Sequence, residues 1–561
     1  MLALLASAWA ALPPRTAHVR TRDNADVVAR DGVVLPTRYF VPSGDGPFPT
    51  VLTRTPYYMA PILDQQCRLL VRRGYACVWQ EIRGRLHAGG EWSPFVNEER
   101  DGQDAVAWIR EQPWSDGRVA WLGDSYLSAA GWAVAAEDPD GLVTLVSRIF
   151  GPALYDSAFE SGLLRHELVT AWMSLMPDER TRWFAAGPYH RSLEHRPRVT
   201  MDVVAAGHEV PWFREWIAAE EQTDPLWQEG DPGRFERAAQ NTSIPVLMVG
   251  GWSDAFVEAQ FDAWERLATR DASLLVIGPW AHLGQAPAAI PLRHVNQPAG
   301  NAFQLERVLD WLAVHLEGEA PTLPSTGVLT YVVGGDRWEQ RDAWPPPTVE
   351  RRYGLVAGEG PCEGSLVAGD APTAPLSWTY DPTDPLPSRG GAGLLAGAIP
   401  LMNGVKPGFV HDRTHCPRRD DVLRFVSEPL SAPLHLAGMM AATLEVASDA
   451  EDTAFGFRLL EKRRSGEEIV LREGFATLAL RDGSPRQPYT PGERVTVRPD
   501  TQPLEIELHE GSRIVVILTS SSFPAVEAHP NVAGVIAEAT ETRVAHQQVF
   551  TGTLLLPEVV E

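Results

Sequence analysis

Hydrophobic positions along the chain fall into three textures. From residue 50 to residue 284 short apolar runs recur, separated by longer helical or loop stretches. The runs at 50–53, 76–79, 119–122, 246–249 and 274–277 lack alternation, which predicts strands of a mostly parallel sheet covered by helices. An earlier run at 33–40 predicts one more strand, and Pro36 assigns it to an edge or a bulge. Between 151 and 242 such runs vanish and aromatic residues gather: Trp172, Trp183, Phe184, Trp212, Phe213, Trp216 and Trp227. This stretch reads as a helical insertion in which most rings fill helix packing and a few line a pocket. After residue 321, Pro345-Pro346-Pro347 and a Gly/Ala/Pro-rich stretch to about 408 give way to alternating segments. In Leu504-Glu505-Ile506-Glu507-Leu508 the apolar residues share one face and the acids the other, predicting an antiparallel strand with one wet side. Segments 442–447 and 513–518 behave similarly, so the C-terminal region is expected to be a β-sandwich. The expected division is a signal or tail at 1–20, an α/β domain at 21–150 and 243–320, the helical insertion at 151–242, and the sandwich at 321–561.

Composition narrows the partners. A chain of 561 residues exceeds what one hydrophobic core organises, and 44% hydrophobic with 22% charged residues excludes wholesale disorder. A formal net charge of −24 opposes binding to nucleic acid or an anionic membrane surface. No run reaches the roughly 18 apolar residues of a membrane span. Cys67, Cys77, Cys362 and Cys416 are scattered and form no Cys-x-x-Cys pair, so they read as free thiols. Residues 1–12 are apolar, and Ala8-Trp9-Ala10 before Pro13-Pro14 partly resembles a secretory signal without its basic start. The cytoplasm is therefore favoured, with secretion or a periplasmic location as the alternative. A homo-oligomer stays open.

The run at 119–122 leads into Gly123-Asp124-Ser125-Tyr126-Leu127-Ser128 and then an Ala-rich stretch, the order strand, tight turn, helix. A nucleophile elbow needs that order, because the turn lifts its serine above the sheet edge while small neighbours let strand and helix approach. The Gly-x-Ser-x-Gly spelling is not met, and alone such a serine is more often a turn or N-cap residue. Two further strands run into Gly250-Gly251-Trp252-Ser253-Asp254 and Gly278-Pro279-Trp280-Ala281-His282. Ser125, Asp254 and His282 thus follow successive strands in the chain order of an α/β-hydrolase triad. His411 and His415, with Cys416, form a rival metal constellation, but no helix aligns the imidazoles and a fourth ligand is missing, so no metal is expected.

These motifs resemble the serine hydrolase family of X-Pro dipeptidyl-peptidases, cocaine esterase and α-amino-acid ester hydrolases. The resemblance also rests on Arg30-Asp31-Gly32-Val33, Arg83-Gly84 with Gly89-Gly90, Trp114, Asp116, Gly117, Phe425-Val426-Ser427-Glu428-Pro429-Leu430 and Ser521-Ser522-Phe523-Pro524. Arg54-Thr55-Pro56-Tyr57 is similar to the loop whose tyrosine serves the oxyanion hole. The family often carries glycine where this chain has Ser128, and Asp124 is an unusual neighbour for the nucleophile.

The resemblance implies an α/β-hydrolase domain with a helical cap insertion, then a C-terminal jelly-roll β-sandwich. It implies a serine hydrolase that cleaves acyl esters, with amides as a second substrate class, through an acyl-enzyme. In this reading His282 takes the Ser125 proton, Asp254 orients the imidazole, and the Tyr57 phenol and Tyr126 backbone N–H meet the oxyanion. Trp172, Trp252 and Trp280 are candidate pocket walls. No cofactor is implied, and the expected partner is a small ester or a short peptide. The alternatives are an X-Pro dipeptidyl-peptidase, an α-amino-acid ester hydrolase or acylase, and a catalytically silent homologue that binds carbohydrate or protein.

Overall fold

The structure is a computed structural model that describes residues 17–176, 186–282, 300–372, 374–393, 408–412 and 419–560. Among the described residues, ten strands build the first sheet: β1 (Val19–Val28), β2 (Val34–Pro42), β3 (Phe48–Thr55), β4 (Ala76–Glu81), β5 (Ser115–Asp124), β6 (Leu142–Arg148), β7 (Val246–Ser253), β8 (Leu274–Ala281), β9 (Gly327–Val332) and β10 (Arg337–Arg341). Their spatial order is β1-β2-β4-β3-β5-β6-β7-β8-β9-β10. Pairing from β4 through β3 to β9 is parallel, with antiparallel strands at both ends. Every residue of β4, β7 and β8 is buried, which is why these strands read as unbroken apolar runs.

Three expectations are corrected in this sheet. The strand carrying Pro36 is interior, since β2 pairs with both β1 and β4. The β4 ladder begins at Thr37, so Pro36 stands one residue before it, where its missing N–H breaks no bond to β4. The sheet also runs past the expected break at 320, because β9 continues it in parallel beside β8 and β10 closes the edge. Finally, Cys67 on α1 (Ala60–Val71) is joined to Cys77 on β4 in a buried disulfide, and Cys362 is disulfide-bonded too, so these three are not free thiols. Helix, turn and returning strand bring the first pair to a Cα separation of 5.2 Å, a juxtaposition with no sequence motif. Cys416 lies outside the described residues.

Between β6 and β7 the chain is mainly short helices, beginning with α2 (Leu154–Ala158) and α3 (His166–Leu175). Beyond β10, thirteen strands among the described residues form a second, mostly antiparallel sheet. Its last strand, Ala545–Val559, pairs with Thr348–Val356, Leu376–Tyr380 and Ala441–Ser448, binding the two ends of this region together. The protein thus combines an N-terminal α/β domain with a C-terminal β-rich domain. The acid face of Leu504–Leu508 is only partly wet: Glu507 is half-buried, and Glu505 is fully buried, with Arg341 of β10 at 2.7 Å and His435 at 3.0 Å. The first sheet covers that face, which local alternation does not reveal.

Candidate active site

β5 ends at Asp124 and the next helix, Tyr126–Ala135, starts two residues later, leaving Ser125 alone in the turn. Its φ of 56° and ψ of −126° are strained for a residue with a side chain. Gly123 makes the turn possible, since a Cβ there would lie 2.3 Å from the Leu127 carbonyl. The turn is held by the Ser125 N–H donating to the Arg148 carbonyl at 3.0 Å, and by the Ser125 carbonyl accepting from Ser128 and Ala129. Ser128 is buried and its hydroxyl meets that of Ser147 at 2.6 Å, so serine fits where the family often has glycine. Asp124 is neutralised by Arg148 at 2.7 Å.

The loops after β7 and β8 carry the other two members. Gly251 allows their close approach, because a Cβ there would sit 2.2 Å from the Trp280 carbonyl oxygen. Asp254 is fully buried; one carboxylate oxygen accepts the Phe256 backbone N–H at 2.8 Å and the other lies 3.1 Å from His282 Nδ1. His282 Nε2 lies 3.1 Å from Ser125 Oγ. With Nδ1–H donated to the carboxylate, Nε2 is left as the acceptor for the serine hydroxyl. Three residues from three loops therefore form one hydrogen-bonded relay. It can withdraw a proton from Ser125 and return it to a leaving group.

Ser125 opens onto a pocket lined by Tyr57, Tyr126, rings from Phe95, Phe150, Trp172, Trp216 and Phe256, and the aliphatic side chains of Leu154, Leu168 and Val169. Phe95 stacks on Tyr126 with centroids 4.8 Å apart and on Trp216 at 5.8 Å. The polar lining is committed internally: Ser157 donates to the Ala153 carbonyl, and the Tyr126 phenol donates to Glu98. Burial pushes the Glu98 carboxyl up, opposed mainly by its ion pair with Arg54. The Tyr126 backbone N–H heads its helix with no acceptor among the described residues. The Tyr57 phenol accepts the Trp172 indole N–H at 3.0 Å, and burial pushes its pKa up to about 12. Neighbouring Tyr58 is 57% exposed and does not line the cavity.

Of the expected pocket walls, Trp172 lines the cavity, but Trp252 and Trp280 do not. Trp252 is fully buried against Phe261 and Trp344, its N–H on the Tyr331 carbonyl, and Trp280 packs on Phe303 and Trp338. In the insertion, Trp216 joins the lining while Trp212, Phe213 and Trp227 are buried in helix packing. Trp183 and Phe184 lie outside the described residues. Phe95, Phe150 and Phe256 were not singled out in the sequence, although Phe256 stands only two residues after Asp254. Of the rival histidines, His411 faces Glu467 at 3.8 Å, while His415 and Cys416 lie outside the described residues.

Two family models match the chain: X-Pro dipeptidyl-peptidase (S15 family) over residues 31–284, and X-Pro dipeptidyl-peptidase C-terminal non-catalytic domain over residues 324–552. The chain is 29% identical over 547 residues to the cocaine esterase of Rhodococcus sp. (strain MB1 Bresler), covering 92% of this chain and 93% of that one. Its fold matches an α-amino acid ester hydrolase with a TM-score of 0.81 at 21% identity, and an aminopeptidase from a marine sediment archaeon, Thaumarchaeota archaeon, with a TM-score of 0.80 at 21% identity. Each match covers 96% of both chains. With the two models spanning both domains in the order the chain carries them, the protein belongs to the X-Pro dipeptidyl-peptidase and cocaine esterase family of serine hydrolases.

Proposed function

We propose that the protein is an esterase that removes apolar, ring-sized acyl groups from esters through an acyl-enzyme on Ser125. In this mechanism His282 Nε2 takes the hydroxyl proton as Ser125 Oγ attacks the ester carbonyl carbon, and Asp254 steadies the imidazolium that results. The tetrahedral oxyanion is met by the Tyr57 phenol and the Tyr126 backbone N–H, donors matched to charge that exists only at that stage. Collapse expels the alkoxide, which takes the proton from His282. A water deprotonated by the same imidazole then attacks the acyl-enzyme and releases the acid.

One observation carries this reading: the serine relay opens onto a cavity with aromatic walls, internally satisfied polar groups and, among the described residues, no acidic side chain in its lining. A dipeptide substrate would bring an ammonium that needs a carboxylate. An apolar acyl group needs only area. The ester named in the Rhodococcus relative supports the same direction. The order β1-β2-β4-β3-β5-β6-β7-β8 supports an α/β-hydrolase domain, with the helices between β6 and β7 as its cap and a jelly-roll β-sandwich after β10. The test is kcat/KM for p-nitrophenyl benzoate or butyrate against Gly-Pro and Ala-Pro p-nitroanilides. The esters are expected to be turned over faster, and preference for an anilide would promote the peptidase reading.

A further inference from the structure

The phenol proposed to meet the oxyanion receives a hydrogen bond from the cap. Trp172, on α3, donates its indole N–H to the Tyr57 oxygen at 3.0 Å. An indole nitrogen can only donate, so in this bond the phenol is the acceptor and its own proton is directed to another partner. A phenolic O–H prefers the ring plane and has two such orientations; a donor fixed on one side of the oxygen selects between them.

The donor is itself fixed. The Trp172 ring packs against Trp212 at 5.0 Å and beside the stacked pair of Tyr126 and Phe95 at 6.1 and 6.3 Å, with Trp92 at 6.2 Å. The Tyr57 backbone is held separately: its N–H donates to Thr55 Oγ1 at 3.1 Å, and Arg85 grips the Pro56 carbonyl at 3.2 Å while reaching the Met176 carbonyl just past the end of α3. Burial raises the phenol, and the Trp172 bond acts in the opposite direction, making the O–H a better donor than burial alone would leave it.

We infer that Trp172 is a positioning residue for the reaction: its indole N–H presets the Tyr57 hydroxyl toward the oxyanion, so that the cap supports the transition state as well as walling the acyl cavity. This rests on the reading of Tyr57 as an oxyanion donor. It assigns Trp172 a second role, separable from that of wall, because the N–H and the ring surface can be removed independently.

The experiment is a double-mutant cycle on p-nitrophenyl acetate and benzoate. Trp172→Phe keeps a ring and deletes the donor; incorporation of 3-benzothienylalanine at position 172 keeps the bicyclic shape and replaces the N–H by sulfur, which guards against a folding defect. Either change is expected to lower kcat about tenfold on both esters, the size of one lost hydrogen bond, with little change in KM for the acetate. In a Tyr57→Phe background the same changes should alter kcat by less than about twofold, because the group they position is gone. An unchanged kcat, a loss confined to the benzoate, or an equal loss in both backgrounds would overturn the inference and leave Trp172 as a wall. If Tyr57→Phe alone leaves kcat intact, the oxyanion assignment itself fails, and that single variant identifies the failure.

Discussion

Tyr57 and Tyr58 are neighbours in sequence with different surroundings: one shares a cavity with Ser125 and holds a hydrogen bond from Trp172, the other projects into solvent. Tyr57→Phe is therefore expected to lower kcat about 10²- to 10³-fold with KM little altered, whereas Tyr58→Phe should leave both near the parent values. Steady-state kinetics on one aryl ester separates the two, and the reverse ranking would transfer the role to Tyr58. That Ser125, Asp254 and His282 come together was legible because each stands directly after an apolar run, where a parallel sheet presents loops on one edge. Trp252 and Trp280 sit in the same motifs, yet their rings turn into the packing beneath the loops. A motif fixes where the backbone goes; which side of it a large side chain occupies depends on residues distant in the sequence.

The turn between β5 and its helix is the element on which the proposed chemistry depends. Gly123→Ala would push a methyl group into the Leu127 carbonyl, and because that neighbour is backbone the helix must move. The expected outcome is loss of activity together with a lower melting temperature; retention of both would mean the approach of strand and helix is looser than described. Ser128→Ala should be mild, costing about 1 kcal/mol, since Ser147 still accepts from Trp132 and donates to the Phe150 carbonyl. Chemical denaturation and an ester assay check both variants. Element positions were legible wherever burial on both faces left an unbroken apolar run. The interior setting of Pro36 and the disulfide between α1 and β4 were not, because both depend on which strand lies beside which.

Contacts between the two domains escaped the sequence for the same reason, and they carry titratable groups. A short hairpin, Phe159–Glu160 with Leu163–Leu164, reaches the second sheet, where Glu160 accepts the Phe475 backbone N–H at 2.9 Å and Thr477 donates to the Ser161 carbonyl. Burial pushes the Glu160 carboxyl up to about 8, with Arg165 opposing and Glu258 and Asp500 adding to the rise. A raised carboxyl favours the native state fully below its unfolded value near ~4.3, and that contribution is lost as pH rises through about 8. Glu160→Gln keeps the acceptor oxygen and cannot ionise, so its melting temperature should fall less than the parent's between pH 5 and 9. Parallel curves in calorimetry would remove Glu160 from the account. From the second domain, Arg472 donates to the Trp252 carbonyl at 2.6 Å, two residues before Asp254, so that domain braces the loop that carries the acid. Composition marked a break near residue 320, but the sheet crosses it, because a change in loop chemistry need not coincide with the end of hydrogen bonding.

The central claim is that Ser125 is the nucleophile. Its most direct test is mass-spectrometric mapping of the protein after reaction with a fluorophosphonate, alongside Ser125→Ala. The account predicts one phosphonylated peptide, modified at Ser125, with loss of ester hydrolysis in proportion to labelling and neither label nor turnover in the variant. Labelling at another residue, or a Ser125→Ala protein that still hydrolyses the ester, would contradict it.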